Sequence, residues 1–294
     1  MSAAAPSLPD VLPPVLRRGV VRTFLRRHPT AALGAAILVA MVAIAVFAPF
    51  LGTVDPIAID PIHRLADPSA RHWFGTDMLG RDVYSRTLYG ARISLGVGFS
   101  VAFCAAAAGT LVGVTAGFVR FLDGILMRVM DGLMSIPPIL LAIALMALTQ
   151  ASVGNVIFAI SVSEFPRVSR LVRGVVLSLR EQPFVEAAIA AGTRAPRLIW
   201  RHILPNTMAA LLVQATFTCA SAMITEAILS FIGAGTPPII PSWGNIMAEG
   251  RALWEIKPYI VFFPATFLSV TVLAVNLLGD GMRDALDPRL AKRL

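Results

Sequence analysis

Charged residues are scarce in this chain. They make up 14% of its 294 residues, against roughly 25% in an ordinary soluble domain. With 56% hydrophobic residues and a mean hydropathy of +0.76, that deficit excludes a conventional water-soluble fold. Cysteine is nearly absent. Cys104 and Cys219 both lie in apolar stretches, which excludes a disulfide framework. The four histidines (His28, His63, His72 and His202) are scattered without metal-ligand spacing, so no metal site, nickel included, is expected in this chain. No phosphate loop of the form GxxxxGK[ST] occurs, which excludes ATP hydrolysis by the chain itself. The first 30 residues lack a short apolar core followed by a small-residue cleavage site, so no cleaved leader is expected. No solenoid-type internal repeat is visible.

What is present is apolar sequence in lipid-length runs. A membrane-crossing helix needs about 20 mostly apolar residues. Six segments qualify: Ala31–Leu51, Ile93–Val119, Ile125–Leu148, Val153–Val172, Met208–Ile232 and Tyr259–Leu278. Pro137-Pro138 interrupts the third and predicts a kink there. The organisation expected is a tail at 1–30, a six-span domain at 31–280 and a tail at 281–294. Within the domain lie loops at 52–91 and 233–258 and a polar, helix-patterned segment at 173–207.

The net charge of +8 has a direction. Eighteen of the 25 Lys and Arg fall on the side that holds both termini and the 173–207 segment. An excess of positive charge marks the cytoplasmic side, so both termini are expected inside. The arginines flank spans and do not gather with stacking aromatics, which excludes a nucleic-acid-binding protein. Trp73, Trp243 and Trp254 fall on the outer side, two of them near enough to spans to anchor at the interface.

The segment Ser178–Asn206 carries the most information. Ser178 and Glu181 have the form of a capping box. Pro183 suits a first helical turn. Phe184, Ala187, Ala188 and Ala191 share one helical face, Gly192 is a stop, and Thr193 is the expected cap of a second short helix. Leu204-Pro205 is expected to end that helix. Two short helices joined at a glycine, with a small-residue surface, suit either lipid headgroups or a closely docked protein.

Glu186-Ala187-Ala188, Gly192 and Ile203-Leu204-Pro205 together resemble the EAA motif of permeases from binding-protein-dependent ABC importers. Two further stretches, HWFGTDMLGRDVYSRTLYGARISL at His72–Leu95 and TEAILSFIGAGTPPIIPSWGNIM at Thr225–Met247, are similar to the C-type permeases of the dipeptide, oligopeptide and nickel group. So is GDGMRDALDPR at Gly279–Arg289. The resemblance implies an all-α inner-membrane protein of the type I importer permease fold, with a cytoplasmic coupling helix. It implies a second, B-type permease beside it and one or two ABC ATPases holding ATP and Mg. It also implies a solute-binding protein outside, with short peptides as cargo. Nickel, glutathione or another small solute is the alternative, and a secondary transporter is a more distant one. Glu186, Ala187, Ala188, Gly192, Ile203, Leu204 and Pro205 are the expected ATPase-coupling residues. Asp77, Gly80, Arg81 and Asp82 are expected to brace or dock on the outer side. Two acids lie inside spans, where charge is costly. Glu226 is expected to brace the fold or sit near a gate. Glu164 is expected either to line the pathway and attract a cationic group, or to reach water near an interface.

Overall fold

A computed structural model describes residues 28–286. Of the expected tails at 1–30 and 281–294, residues 1–27 and 287–294 lie outside the described residues.

The first helix, α1 (Pro29–Phe47), tightens into a 3₁₀ turn at Ala48–Phe50. Pro49 cannot donate to the ladder, and carbonyls one turn back lose their donors. Arg92 supplies them, donating from Nε to the Ala45 carbonyl and from Nη2 to that of Val46 at 2.9 Å.

Helix α2 (Val83–Phe118) is 36 residues long. It begins ten residues before the expected Ile93, inside the supposed loop 52–91. Asp82 sets this start: its carboxylate accepts from Ser85 N at 2.8 Å, an N-cap bond. The first turns are too polar to read as a span because they are covered by protein, with Ser85, Arg86 and Thr87 all buried.

The expected third span is two helices. Helix α3 (Arg120–Met134) and helix α4 (Pro138–Ala147) meet at 86°. Pro138 takes the first position of α4, and the residue before a proline is driven out of the helical region. Pro137 accordingly sits at φ −52°, ψ 131°. The pair is a break, sharper than the kink expected.

Helix α5 (Val153–Arg180) starts on a Ser152 cap and runs through Pro166, eight residues past the expected Val172. It packs along α2 by a row of small residues. Gly109, Gly113 and Gly117 recur every four residues on α2 and face Val168, Val172 and Val176 of α5. A methyl group added at Gly113 would lie 2.6 Å from the Ser169 carbonyl and 2.7 Å from Val172 Cβ. Between lipid-immersed helices the hydrophobic drive is weak, and close packing of this kind holds them together.

Helix α6 (Pro183–Ala190) and helix α7 (Ala195–Leu198) follow, then a π turn at Ile199–Ile203, then helix α8 (Leu204–Phe231). Ser178 is not a cap, since it lies in the last turns of α5. Gln182 and Arg194, neither with a capping side-chain bond, precede α6 and α7. Thr193 is therefore not the cap of α7 either. Leu204-Pro205 does not end a helix. The wider π turn just before it removes the clash a proline ring makes with the preceding turn. The helical path thus continues from Ala195 to Phe231.

The 233–258 segment is more than a loop. Helix α9 (Trp243–Gly250) packs against α2, α8 and the last helix, α10 (Tyr259–Leu286). Trp243 is fully buried and donates Nε1–H to the Thr87 carbonyl at 3.0 Å, so it is core rather than an interface anchor. Trp73 and Trp254 are exposed.

Among the described residues, four helical stretches are long and apolar enough to cross a membrane: α1, α2, α7–α8 and α10. The bent pair α3–α4 makes five if it counts as one. Helix α5 falls short because Glu164, Arg167, Arg170 and Arg173 interrupt it.

Candidate coupling hinge and buried charge clusters

The expected coupling residues lie together at one end of the bundle, on two arms about a sharp turn. The turn is made by hydrogen bonds. Gly192 N–H donates to the Ile189 carbonyl at 2.9 Å, and Thr193 N–H to that of Ala188 at 3.0 Å. This paired pattern needs a left-handed residue between helix and exit. Gly192 provides it at φ +79°. Glu186 lies in the first turn of α6, where a negative side chain complements the exposed N–H groups.

Burial divides the arms into an inner and an outer face. Val185, Leu198 and Ile203 are buried and pin the arms to the bundle. Phe184, Glu186, Ala187, Ile189 and Gly192 are exposed, Ala188 half-buried. The face assigned from helical spacing is therefore the outward one. Phe184 of the first arm lies 6.5 Å from the His202 ring of the second. Ile203, Leu204 and Pro205 sit where the second arm passes into α8.

At the opposite end, Asp77, Gly80, Arg81 and Asp82 form part of a closed ionic cluster. Arg81 Nε donates to Asp77 Oδ2 at 2.7 Å, and its Nη2 to Glu249 Oε2 at 2.6 Å. Arg86, only 1% exposed, donates to both Asp77 and Glu249. Asp82 caps α2 and pairs with His72 Nδ1 at 3.0 Å. Gly80 adopts φ +79°, and a Cβ there would overlap the Asp60 carbonyl at 1.8 Å. The cluster ties the 52–82 segment, α2 and α9 into one piece. Asp77 and Arg86 are buried at 1% exposure, while Glu249 is 25% exposed. Arg86 and Glu249 complete it and were not singled out from sequence. Arg86 lay within the family-like stretch, and a buried network recruits charges from remote segments that no local pattern reveals.

Glu226 is fully buried. It accepts from Ser230 Oγ at 2.8 Å and from Ser94 Oγ at 3.3 Å. Ser94 Oγ in turn accepts from Trp243 N at 3.3 Å. Glu226 thus joins α8 to α2 and, through Ser94, to α9, an arrangement for bracing. Glu164 is 3% exposed. Ser221 Oγ of α8 donates to its Oε1 at 3.1 Å, and Arg167 Nη1 lies 3.6 Å from its Oε2. Its carboxylate is turned into the protein, between α5 and α8. The exposed neighbour is Arg167, of the opposite sign. At the hinge end, α3 and α5 are joined by Arg173 to both Asp123 oxygens at 2.5 and 2.7 Å, and by Arg170 to Asp131 at 2.5 Å.

Comparison with known proteins places the chain in a family. Residues 109–292 match the model of the binding-protein-dependent transport system inner membrane component. Residues 19–68 match the N-terminal transmembrane domain of oligopeptide transport permease C. A probable peptide ABC transporter permease, y4tQ of Sinorhizobium fredii, is 56% identical over 280 residues, covering 95% of this chain and 96% of the relative. The dipeptide permease DppC of Alkalihalophilus pseudofirmus is 41% identical over 90% of this chain and 88% of its own. The glutathione permease GsiD of Escherichia coli is 41% identical over 92% and 89%. Among solved structures, a chain of the inward-facing MetNI methionine ABC transporter aligns with a TM-score of 0.56 and 20% identity, over 68% of this chain and 96% of that one. That likeness supports the importer-permease fold alone. By family model, relatives and helical architecture, the chain belongs to the binding-protein-dependent inner-membrane permeases of bacterial ABC transporters, in the group of oligopeptide permease C.

Proposed function

We propose that this chain is one of two permease subunits in an ATP-driven importer of short peptides, paired with a B-type permease. One or two ABC ATPases bind ATP and Mg at its cytoplasmic side, and a solute-binding protein delivers cargo from outside. In this reading the chain crosses the membrane six times, with the α3–α4 pair and α5 counted, and both termini are cytoplasmic. The hinge at Gly192 then faces the cytoplasm and seats in an ATPase.

One observation carries the reading. The second arm of the hinge is not a separate helix but the start of a 37-residue helical path, Ala195–Phe231. The first arm follows α5 after a two-residue gap. A displacement at Gly192 is therefore delivered to two long helices without an intervening flexible loop. Alternate opening of a pathway requires that rigidity.

Peptides are favoured by the names of relatives at 56% and 41% identity, with a glutathione permease at 41% close behind. The test is uptake by the purified importer, with its partner subunits and binding protein, in proteoliposomes. Labelled dipeptide is expected to accumulate only with ATP inside the ATPase compartment and binding protein on the opposite face. Glutathione or nickel accumulating in its place would move the cargo assignment. Uptake driven by an ion gradient without ATP would overturn the importer reading altogether.

A further inference from the structure

Helix α5 is the most charged of the long helices, yet it is central. It packs against α2, α3, α4 and α8, so little of it remains to face lipid. Its exposed side chains from the midpoint onward form one stripe: Arg167, Arg170, Gly174 and Ser178, at spacings of three and four. Arg167 is 52% exposed and Arg170 51%. Arginine inside a span is costly and faces a protein interior or a water-filled cavity. A stripe holding two arginines that the chain's own helices leave open is suited to a polar space between subunits and not to lipid.

The two arginines differ in what they are offered. Arg170 is matched by Asp131 at 2.5 Å. Arg167 has only Glu164, at 3.6 Å, too long for a hydrogen bond. One Glu164 oxygen is already taken by Ser221. The carboxylate is close enough to orient the guanidinium and too far to occupy its donors. Arg167 sits about 20 Å along the axis from Arg180 at the hinge end of α5, by helical rise, near the middle of the helix. Among the described residues its planar fork of N–H donors is ion-paired with Glu164 and makes no hydrogen bond, so it remains free to match a carboxylate in two parallel hydrogen bonds.

We propose that Arg167 is a specificity-determining residue of the translocation pathway, receiving the carboxylate of the passing solute. The free C-terminus of a peptide is the solute group concerned. Glu164 and Ser221 act as its positioning residues, holding the guanidinium from behind. This assignment rests on the importer reading above, and it adds the group of the cargo that the permease itself recognises.

The experiment uses the complete importer in proteoliposomes, with trialanine and trialanine amide as probes. Because the binding protein is unchanged, comparing variants cancels its own preference. Arg167→Gln is expected to lower the acid-to-amide uptake ratio about tenfold, the scale of a lost charged hydrogen-bond pair. Arg167→Lys keeps the charge without the fork and is expected to fall between. The proposal is overturned if Arg167→Gln depresses both probes equally, or if its effect follows the anionic lipid content of the vesicles and not the solute carboxylate. Should the unmodified importer move neither probe, the peptide reading fails. The same variants, given the acid and amide forms of the solute that is moved, then decide the role of Arg167 separately.

Discussion

Gly113→Ala is expected to cripple accumulation of the folded permease, while Gly96→Ala on the same helix leaves it intact or slightly improved. The chemistry of the two changes is identical. What differs is the space. A Cβ at Gly96 meets nothing within 4 Å. There alanine gains the helix propensity that glycine lacks, up to about 1 kcal/mol. At Gly113 the new methyl would lie 2.6 Å from a backbone carbonyl of α5. A carbonyl fixed in a helix cannot swing aside, so α2 and α5 must separate. Overpacking of this kind costs about 1–3 kcal/mol, and the separation also opens contacts along the row at Gly109 and Gly117. Thermal inactivation of the solubilised protein reads the result. Equal behaviour of the two variants would mean that the small-residue row does not hold the helices together.

The second large effect falls on Gly192. Gly192→Pro is expected to abolish stimulation of ATP hydrolysis by loaded binding protein while the subunits still co-purify. Proline holds φ near −65° and has no N–H. Gly192 needs φ +79° and donates to Ile189. Both conditions of the turn fail together, so the arms lose their mutual angle. Gly192→Asn separates this from a mere sensitivity of the site. Asparagine tolerates the left-handed region, and no neighbour crowds a side chain there. That variant is expected to retain most of the stimulation. If the proline variant stays fully stimulated, the turn does not transmit the motion.

Much of this was legible in sequence because the signals are local. Lipid-length runs located four of the apolar crossings, α1, α2, α7–α8 and α10, Pro137-Pro138 marked the break, and Pro183 and Gly192 marked the start and end of the first arm. Each is a backbone constraint carried by the residue itself. The expectations that missed depended on distant partners. The start of α2 was hidden because polar Ser85, Arg86 and Thr87 read as loop, and only the folded segment before α2 and helix α9 bury them. Trp243 read as one of three tryptophans outside the spans, two of them candidate anchors, whereas it sits among α2, α8 and α10 with its N–H on Thr87. Ser178 and Glu181 had the right spacing for a cap, but α5 runs through Ser178 to Arg180 and Glu181 follows its end. Pro205 read as a stop because the π turn that accommodates it has no sequence pattern of its own. Glu164 drew attention as a lone acid in a span. The structure turns its carboxylate inward and leaves Arg167 outermost, a choice of rotamer and packing that spacing along the helix does not reveal.

The measurement closest to the root is photo-crosslinking from a reactive residue placed at Phe184 or Ala187, on the outward face of the first arm, in membranes of cells making the whole importer. The account predicts one dominant adduct, to a subunit that binds and hydrolyses ATP, in inside-out vesicles. An arm labelled only by reagents added to the opposite membrane face, or one that never captures such a subunit, would contradict it.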